Sequence, residues 1–285
     1  MNKKKYAALT IILAVFLASS TSALDLQLEG KRALVTGSTG GIGYGIARAL
    51  LNEGATVIIN GRSEESVAAA IEELKKDTGR TAIGFAGDMS TTEDTARLAR
   101  THPEVDILVN NVGTATLHEF EDIPDEDWYF LFNLNVMSGV RLSRAYLPYM
   151  KEKDWGRIIF ISSESAVQIP KEMIHYGMTK TAQLAVSRGL AEAVAGTGIT
   201  VNSVLPGPTK TTFYERMKDN IERQGGSVEA MEKQFIETAR PSSLIKRFAE
   251  VDEVASMVVY LVSPVASATT GAAVRVDGGV VRSAF

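Results

Sequence analysis

Arg32-Ala33-Leu34-Val35-Thr36-Gly37-Ser38-Thr39-Gly40-Gly41-Ile42-Gly43 joins a short apolar run to a glycine turn. Ile42, Ile46, Ala47, Leu50 and Leu51 then recur at helical spacing, so the stretch reads as strand, turn and helix. That is the context a dinucleotide fingerprint requires. Gly37 permits a tight turn, Gly41 lets the backbone approach a pyrophosphate, and Gly43 allows close packing of helix on strand. The helix N-terminus favours phosphate charge, and Ser38, Thr39 and Ile42 share the same turn as further cofactor contacts. Glycine turns also join strands to helices where no nucleotide binds; the strand-flanked spacing is what favours a cofactor here.

Downstream, Ala55-Thr56-Val57-Ile58-Ile59-Asn60 reads as the next strand, running into Gly61-Arg62 where such a site meets the adenosine ribose. A carboxylate there would accept from a free ribose 2′-hydroxyl, whereas Arg62 offers a cationic fork suited to a 2′-phosphate. Asn60 and Arg62 are therefore cofactor candidates, and NADP is preferred over NAD. Because Gly40 supplies no second basic group, NAD stays open. Further strands are expected near residues 81–86, 107–110, 157–161, 200–204 and 273–276, with helices between them. The alternation, without a low-complexity linker, predicts one Rossmann-type α/β domain over residues 24–285, a doubly wound parallel sheet. The polar stretch from Lys210 to about Arg247 is too long for an ordinary connection.

Tyr176 and Lys180 stand four residues apart, so on a helix the phenol and the ammonium share a face. A nearby cation favours a phenolate, and Lys180 is expected to bring Tyr176 toward a pKa useful for proton transfer. The same spacing is common on solvated helices, so the pair gains meaning only from its company. Ser163 closes the strand 157–161, where a serine often only satisfies backbone groups. His175 reads as a packing or pocket-rim residue, and Glu164 as either a substrate contact or a solvated carboxylate. Asp88 competes with Ser90 and Thr91 to cap the helix that follows it.

Together these residues resemble the short-chain dehydrogenase/reductase family of the classical type, including its 3-oxoacyl-acyl-carrier-protein reductase-like members, from about Leu24 to Phe285. Thr36-Gly37-x-x-x-Gly41-x-Gly43 is similar to its glycine motif. Asp88, with Met89 beside it, resembles its adenine-ring position, and Asn110-Asn111-Val112-Gly113 its Asn-Asn-Ala-Gly segment, from which Val112 departs conservatively. Asn135, Ser163, Tyr176 and Lys180 match the family's catalytic tetrad in order and spacing. Asn135 is preferred to Asn133 by its distance to Arg141-Leu142-Ser143-Arg144, and Ser163 to Ser162 by its distance to Tyr176. Pro206, Gly207 and Thr209 resemble the segment facing the nicotinamide.

The resemblance implies that Tyr176 protonates a carbonyl oxygen in reduction, or deprotonates an alcohol in reverse. It implies that Lys180 also binds the nicotinamide ribose, that Ser163 holds the substrate oxygen, and that Asn135 anchors a water linking Lys180 to solvent. The segment after Pro206-Gly207 would fold over the substrate, making Phe213, Tyr214, Met217, Phe235 and Ile236 candidates for an apolar lid or for ordinary packing. An NADP-dependent ketoreductase is expected, with an NAD-dependent alcohol, sugar or hydroxyacyl dehydrogenase as the alternative. A catalytically silent NADP sensor is a third reading, and a homotetramer or homodimer is expected from the family.

The 285 residues are 45% hydrophobic and 22% charged with formal net charge −4, which offers no nucleic-acid surface. There are no cysteines, and His102, His118 and His175 are scattered, so no metal site is expected. At the N-terminus Lys3-Lys4-Lys5 precedes an apolar run from Tyr6 to Ala18 and then Ser19-Ser20-Thr21-Ser22-Ala23. Residues 1–23 resemble a signal peptide or N-terminal anchor, which predicts an exported or membrane-anchored protein. The cytoplasmic alternative fits the NADPH pool and a misassigned start codon.

Overall fold

The computed structural model describes residues 24–284, so the N-terminal signal-like segment lies outside the described residues. Seven strands form one parallel sheet: β1 Arg32–Val35, β2 Thr56–Gly61, β3 Ile83–Ala86, β4 Ile107–Asn110, β5 Gly156–Ile161, β6 Ile199–Pro206 and β7 Ala273–Val276. Their order is β3-β2-β1-β4-β5-β6-β7. Every strand expected from the sequence is present. β2 and β3 start later than expected, at Thr56 and Ile83, and β6 runs on to Pro206 because β5 and β7 pair with it on both sides.

The apolar runs are continuous because both faces of the sheet are covered. Alternate residues go to opposite sides. Ala33, Val35, Val57, Ile59, Ile107, Val109 and Ile159 belong to one core cluster, while Leu34, Ile58, Leu108 and Ile158 belong to the other. Helices α1 Gly41–Asn52 and α9 Val251–Val262 cover the first face through Ile46, Leu50, Val254 and Val258. Leu98 from α3 Thr92–Thr101 and Leu142 and Tyr146 from α5 Ser138–Glu152 cover the second. Between these lie α2 Glu64–Thr78 and the short α4 Asp125–Leu131.

The chain steps from β1 outward to β2 and β3, then returns to pair β4 on the other side of β1. This reversal opens a crevice at the carboxyl ends of β1 and β4, where ligands of open α/β sheets bind. The catalytic candidates converge on that end of the sheet from α6 Ile174–Ala193 and the segment after β5.

The long stretch after β6 folds as two helices, α7 Thr212–Arg223 and α8 Val228–Ala239. Of the five apolar lid candidates, Tyr214 and Ile236 are buried with Met231 and Phe248, and Met217 and Phe235 pack against that cluster. These four hold the helix pair together. Phe213 alone is exposed, at 53%. Among the described residues no helix is long and apolar enough to cross a membrane.

Candidate active site

The glycine turn is built from the backbone outward. Gly37 has φ +59°, and a Cβ there would sit 3.0 Å from the Val112 Cα. At Gly43 a Cβ would fall 2.5 Å from both the Gly37 carbonyl and Asn111 Nδ2, so α1 packs against the turn at the closest distance the backbone allows. Thr36 Oγ1 accepts from the main-chain N–H groups of Asn111 and Val112, both at 3.0 Å. Asn111 Nδ2 donates to the carbonyls of Thr36 and Gly37 at 2.8 and 2.9 Å. Asn111 thus ties the β4 end to the turn, a task the Asn110-Asn111-Val112-Gly113 segment did not assign to it in the sequence.

Three expected cofactor contacts have other tasks for their side chains. Ser38 Oγ donates to the Val35 carbonyl at 2.6 Å and accepts from Asn60 N–H at 3.0 Å. Asn60 is buried; its Oδ1 accepts from Gly37 N–H at 3.2 Å, and its Nδ2 donates to the Gly61, Phe85 and Gly87 carbonyls. Met89 lies in the hydrophobic core. These side chains brace the turn and the core behind the crevice.

The residues present fit a dinucleotide. No side chain caps α1, whose N-cap is Gly40 and whose first turn carries no acidic residue, so its leading N–H groups suit a pyrophosphate. Thr39 and Ile42 flank that turn, and Arg62 is exposed just past β2. Thr91 caps α3 by accepting from Asp94 N–H at 3.1 Å, leaving Asp88 outside that role. Asp88 Oδ1 accepts from Ser90 N–H instead, at 2.8 Å. Asn110 is buried with Nδ2 3.3 Å from Ser143 Oγ and Oδ1 unpartnered. Pro206 ends β6, and a Cβ on Gly207 would meet the Asp277 carbonyl at 2.6 Å. Thr209 Oγ1 donates to the Gly207 carbonyl at 2.9 Å, which fixes the bend after the strand.

Ser163 lies two residues past the end of β5 and caps a 3-10 turn at Glu164–Ala166, its Oγ accepting from Ser165 N–H at 3.1 Å. The Ser163 hydroxyl also neighbours the Tyr176 phenol. Burial pushes that phenol up to about 12, with Ser163 pulling against the shift, Glu164 adding to it and Arg240 opposing it. Lys180, one helical turn on, has its Nζ 5.6 Å from the Tyr176 ring centroid. Burial dominates the Tyr176 shift and drives it upward, opposite to the direction expected from the sequence. Burial in turn pushes the Lys180 ammonium down to about 7.

Asn135 sits in a π-helical turn, Phe132–Met137, a widening common at functional sites. Its amide spans the Thr114 backbone, accepting from N–H and donating to C=O, both at 3.0 Å, and reaches Thr179 Oγ1 at 3.0 Å. The rival Asn133 is held away by Arg141 and the Ser90 carbonyl, each at 2.6 Å. His175 is fully buried, with Nε2 2.6 Å from Thr116 Oγ1 and its ring beside Trp128. Glu164 is neither solvated nor free: Arg240 Nε, from the residue after α8, meets its Oε1 at 2.7 Å. Burial raises the Glu164 carboxyl, and Arg240 pulls it back.

A hydroxyl pair on the crevice wall with a buried lysine behind it, facing a glycine cradle, is an arrangement for moving a proton beside a dinucleotide. The family model described as Enoyl-(Acyl carrier protein) reductase matches residues 37–281. An uncharacterized oxidoreductase of Bacillus subtilis, YvaG, is 49% identical over 92% of this chain and 100% of its own length. The chain belongs to the short-chain dehydrogenase/reductase family. It is an oxidoreductase of the class acting between alcohol and carbonyl groups. D-beta-hydroxybutyrate dehydrogenase of Cupriavidus necator is a more distant relative, 35% identical over 89% of this chain and 98% of its own. The crystal structure of L-sorbose reductase from Gluconobacter frateurii, complexed with NADPH and L-sorbose, superposes with TM-score 0.86 at 32% identity, covering 91% of this chain and 100% of that one.

Proposed function

We propose that this short-chain dehydrogenase/reductase uses NADP to interconvert a carbonyl and a secondary alcohol, running as a ketoreductase. The observation that carries the reading is the Ser163–Tyr176 hydroxyl pair beside Lys180. When bound, the nicotinamide supplies the hydride. Tyr176 Oη donates its proton to the substrate oxygen, and Ser163 Oγ donates a hydrogen bond to the same oxygen as charge develops there. With its value raised by burial, the phenol is protonated at neutral pH and carries the proton that a reduction needs. In its ammonium form Lys180, 5.6 Å from the Tyr176 ring centroid, offsets the negative charge left on the phenol oxygen once the proton has gone.

Arg62 supports NADP, as does the NADPH in L-sorbose reductase. If the exit of β2 accepts NAD, the reaction becomes the oxidation of an alcohol, sugar or hydroxyacyl group. A silent sensor is disfavoured because all four tetrad residues are present. The chain acts on a small-molecule substrate as a homotetramer or homodimer, with Tyr129 and Phe130 of α4 exposed at 72% and 47%. Its N-terminal segment directs it to export or membrane anchorage, which N-terminal sequencing of the fractionated protein tests. For the cofactor, Arg62→Asp is expected to weaken NADPH binding by about 1.5–3 kcal/mol, the scale of a charged hydrogen bond, while sparing NADH. Equal NADPH affinity in that variant, by fluorescence titration, would remove Arg62 from the account.

A further inference from the structure

Gln183 lies on α6 three residues past Lys180, is 1% exposed, and carries no role in the sequence motifs. Both ends of its amide are engaged. Nε2 donates to the Asn135 main-chain carbonyl at 2.6 Å, and Oε1 accepts from Lys180 Nζ at 3.3 Å. The remaining acceptor for Lys180 is the Ile161 carbonyl at the end of β5, 2.9 Å away. An apolar side chain would fill this buried place without the cost of desolvating an amide, so the two hydrogen bonds are what the glutamine contributes. Asn135 presents its carbonyl from the π-helical turn, where the regular helical ladder is interrupted. Its own side chain is already taken by Thr114 and Thr179.

We propose that Gln183 is a positioning residue for the reaction, tying the Lys180 ammonium to the Asn135 main-chain carbonyl through its side-chain amide. A primary amide keeps its protons at neutral pH, so this link holds Lys180 in place and does not itself relay a proton. Around Nζ the other titratable group is Tyr176, with its ring centroid at 5.6 Å, and the Glu164–Arg240 pair acts on Tyr176 from the segment after β5 and the end of α8. The inference rests on reading Lys180 as a group of the proposed reductase site.

The test compares the full chain with Gln183→Met, Gln183→Glu and Lys180→Met. Each protein is followed by kcat and KM over pH and, separately, by NADPH affinity over pH from ligand fluorescence. Gln183→Met keeps length while deleting both bonds; its kcat should fall about tenfold or more with little change in carbonyl KM, as expected for a misplaced catalytic group. Losing an acceptor disfavours the ammonium, so its alkaline limb of NADPH affinity should move to lower pH. A carboxylate favours the ammonium, so Gln183→Glu should move the same limb to higher pH and recover part of kcat. Wild-type kcat and an unmoved limb in both variants, with Lys180→Met inactive, would overturn the proposal and leave the reductase reading standing. Limbs moving in one direction would mark a packing disturbance and also overturn it. Wild-type turnover and affinity in Lys180→Met would sink the underlying reading, and the proposal with it. Should Gln183→Met fail to fold by circular dichroism, the direction of the Gln183→Glu limb decides alone.

Discussion

Gly43 has no space for even one carbon, since a Cβ would lie 2.5 Å from the Gly37 carbonyl, 2.5 Å from Asn111 Nδ2 and 2.9 Å from the Ser38 Cα. Gly43→Ala must push α1 off the turn, so it is expected to cost about 1–3 kcal/mol of stability, the usual range for overpacking. Denaturant unfolding measures the loss, and an unchanged midpoint would mean that the turn yields freely. The glycines were legible because backbone demands leave a residue type and a spacing in the sequence. The bracing roles of Asn111 and Gln183 were not, because each acts on a partner far along the chain: Asn111 on Thr36 and Gly37, Gln183 on Asn135. Their roles appear only when strands and helices bring them together. Ser38, Asn60 and Met89 stand at expected motif positions, yet their side chains face inward, a distinction that spacing alone does not carry.

The helix pair α7–α8 is joined to the site by Arg240 against Glu164, with side chains 12% and 4% exposed. Glu164 Oε2 is buried without a partner, so Arg240 is the main compensation for this carboxylate. Arg240→Met should therefore cost about 3–5 kcal/mol at neutral pH, the range for breaking a buried pair. Burial already raises the folded carboxyl above its ordinary value, and removing Arg240 raises it further. Between the unfolded and folded values the native state then holds more protons than the unfolded chain. The variant's stability must fall as pH rises through that window, approaching wild type at the acidic end. Urea unfolding at about pH 5 and about pH 8 measures it; an equal loss at both would show that Glu164 does not titrate. Of the lid candidates, Tyr214 and Ile236 had the right type and spacing for either substrate contact or packing. Phe248, from beyond the two helices, completes the apolar cluster around them, with ring centroids 5.1 Å apart for Tyr214.

Across the whole molecule, the continuous apolar strands and the glycine turn were sufficient to anticipate a doubly wound sheet, and the β1–β4 reversal places the crevice where the motifs require it. The protonation of the site was less legible, since Tyr176 and Lys180 are governed by how much protein surrounds them more than by their spacing on α6. Burial holds Tyr176 as a proton donor and lowers the cost of a neutral Lys180. Everything in the proposed chemistry then depends on the Tyr176 hydroxyl giving its proton to a substrate carbonyl. The decisive measurement is NADPH oxidation by the full-length chain against ketones, ketoses and 3-oxoacyl thioesters, with Tyr176→Phe in parallel and NADPH affinity recorded for both. Turnover in the wild type that falls about 10²–10⁴-fold in the variant, with NADPH affinity retained, is the expected result for loss of a general acid. Turnover in Tyr176→Phe close to that of the wild type would contradict it.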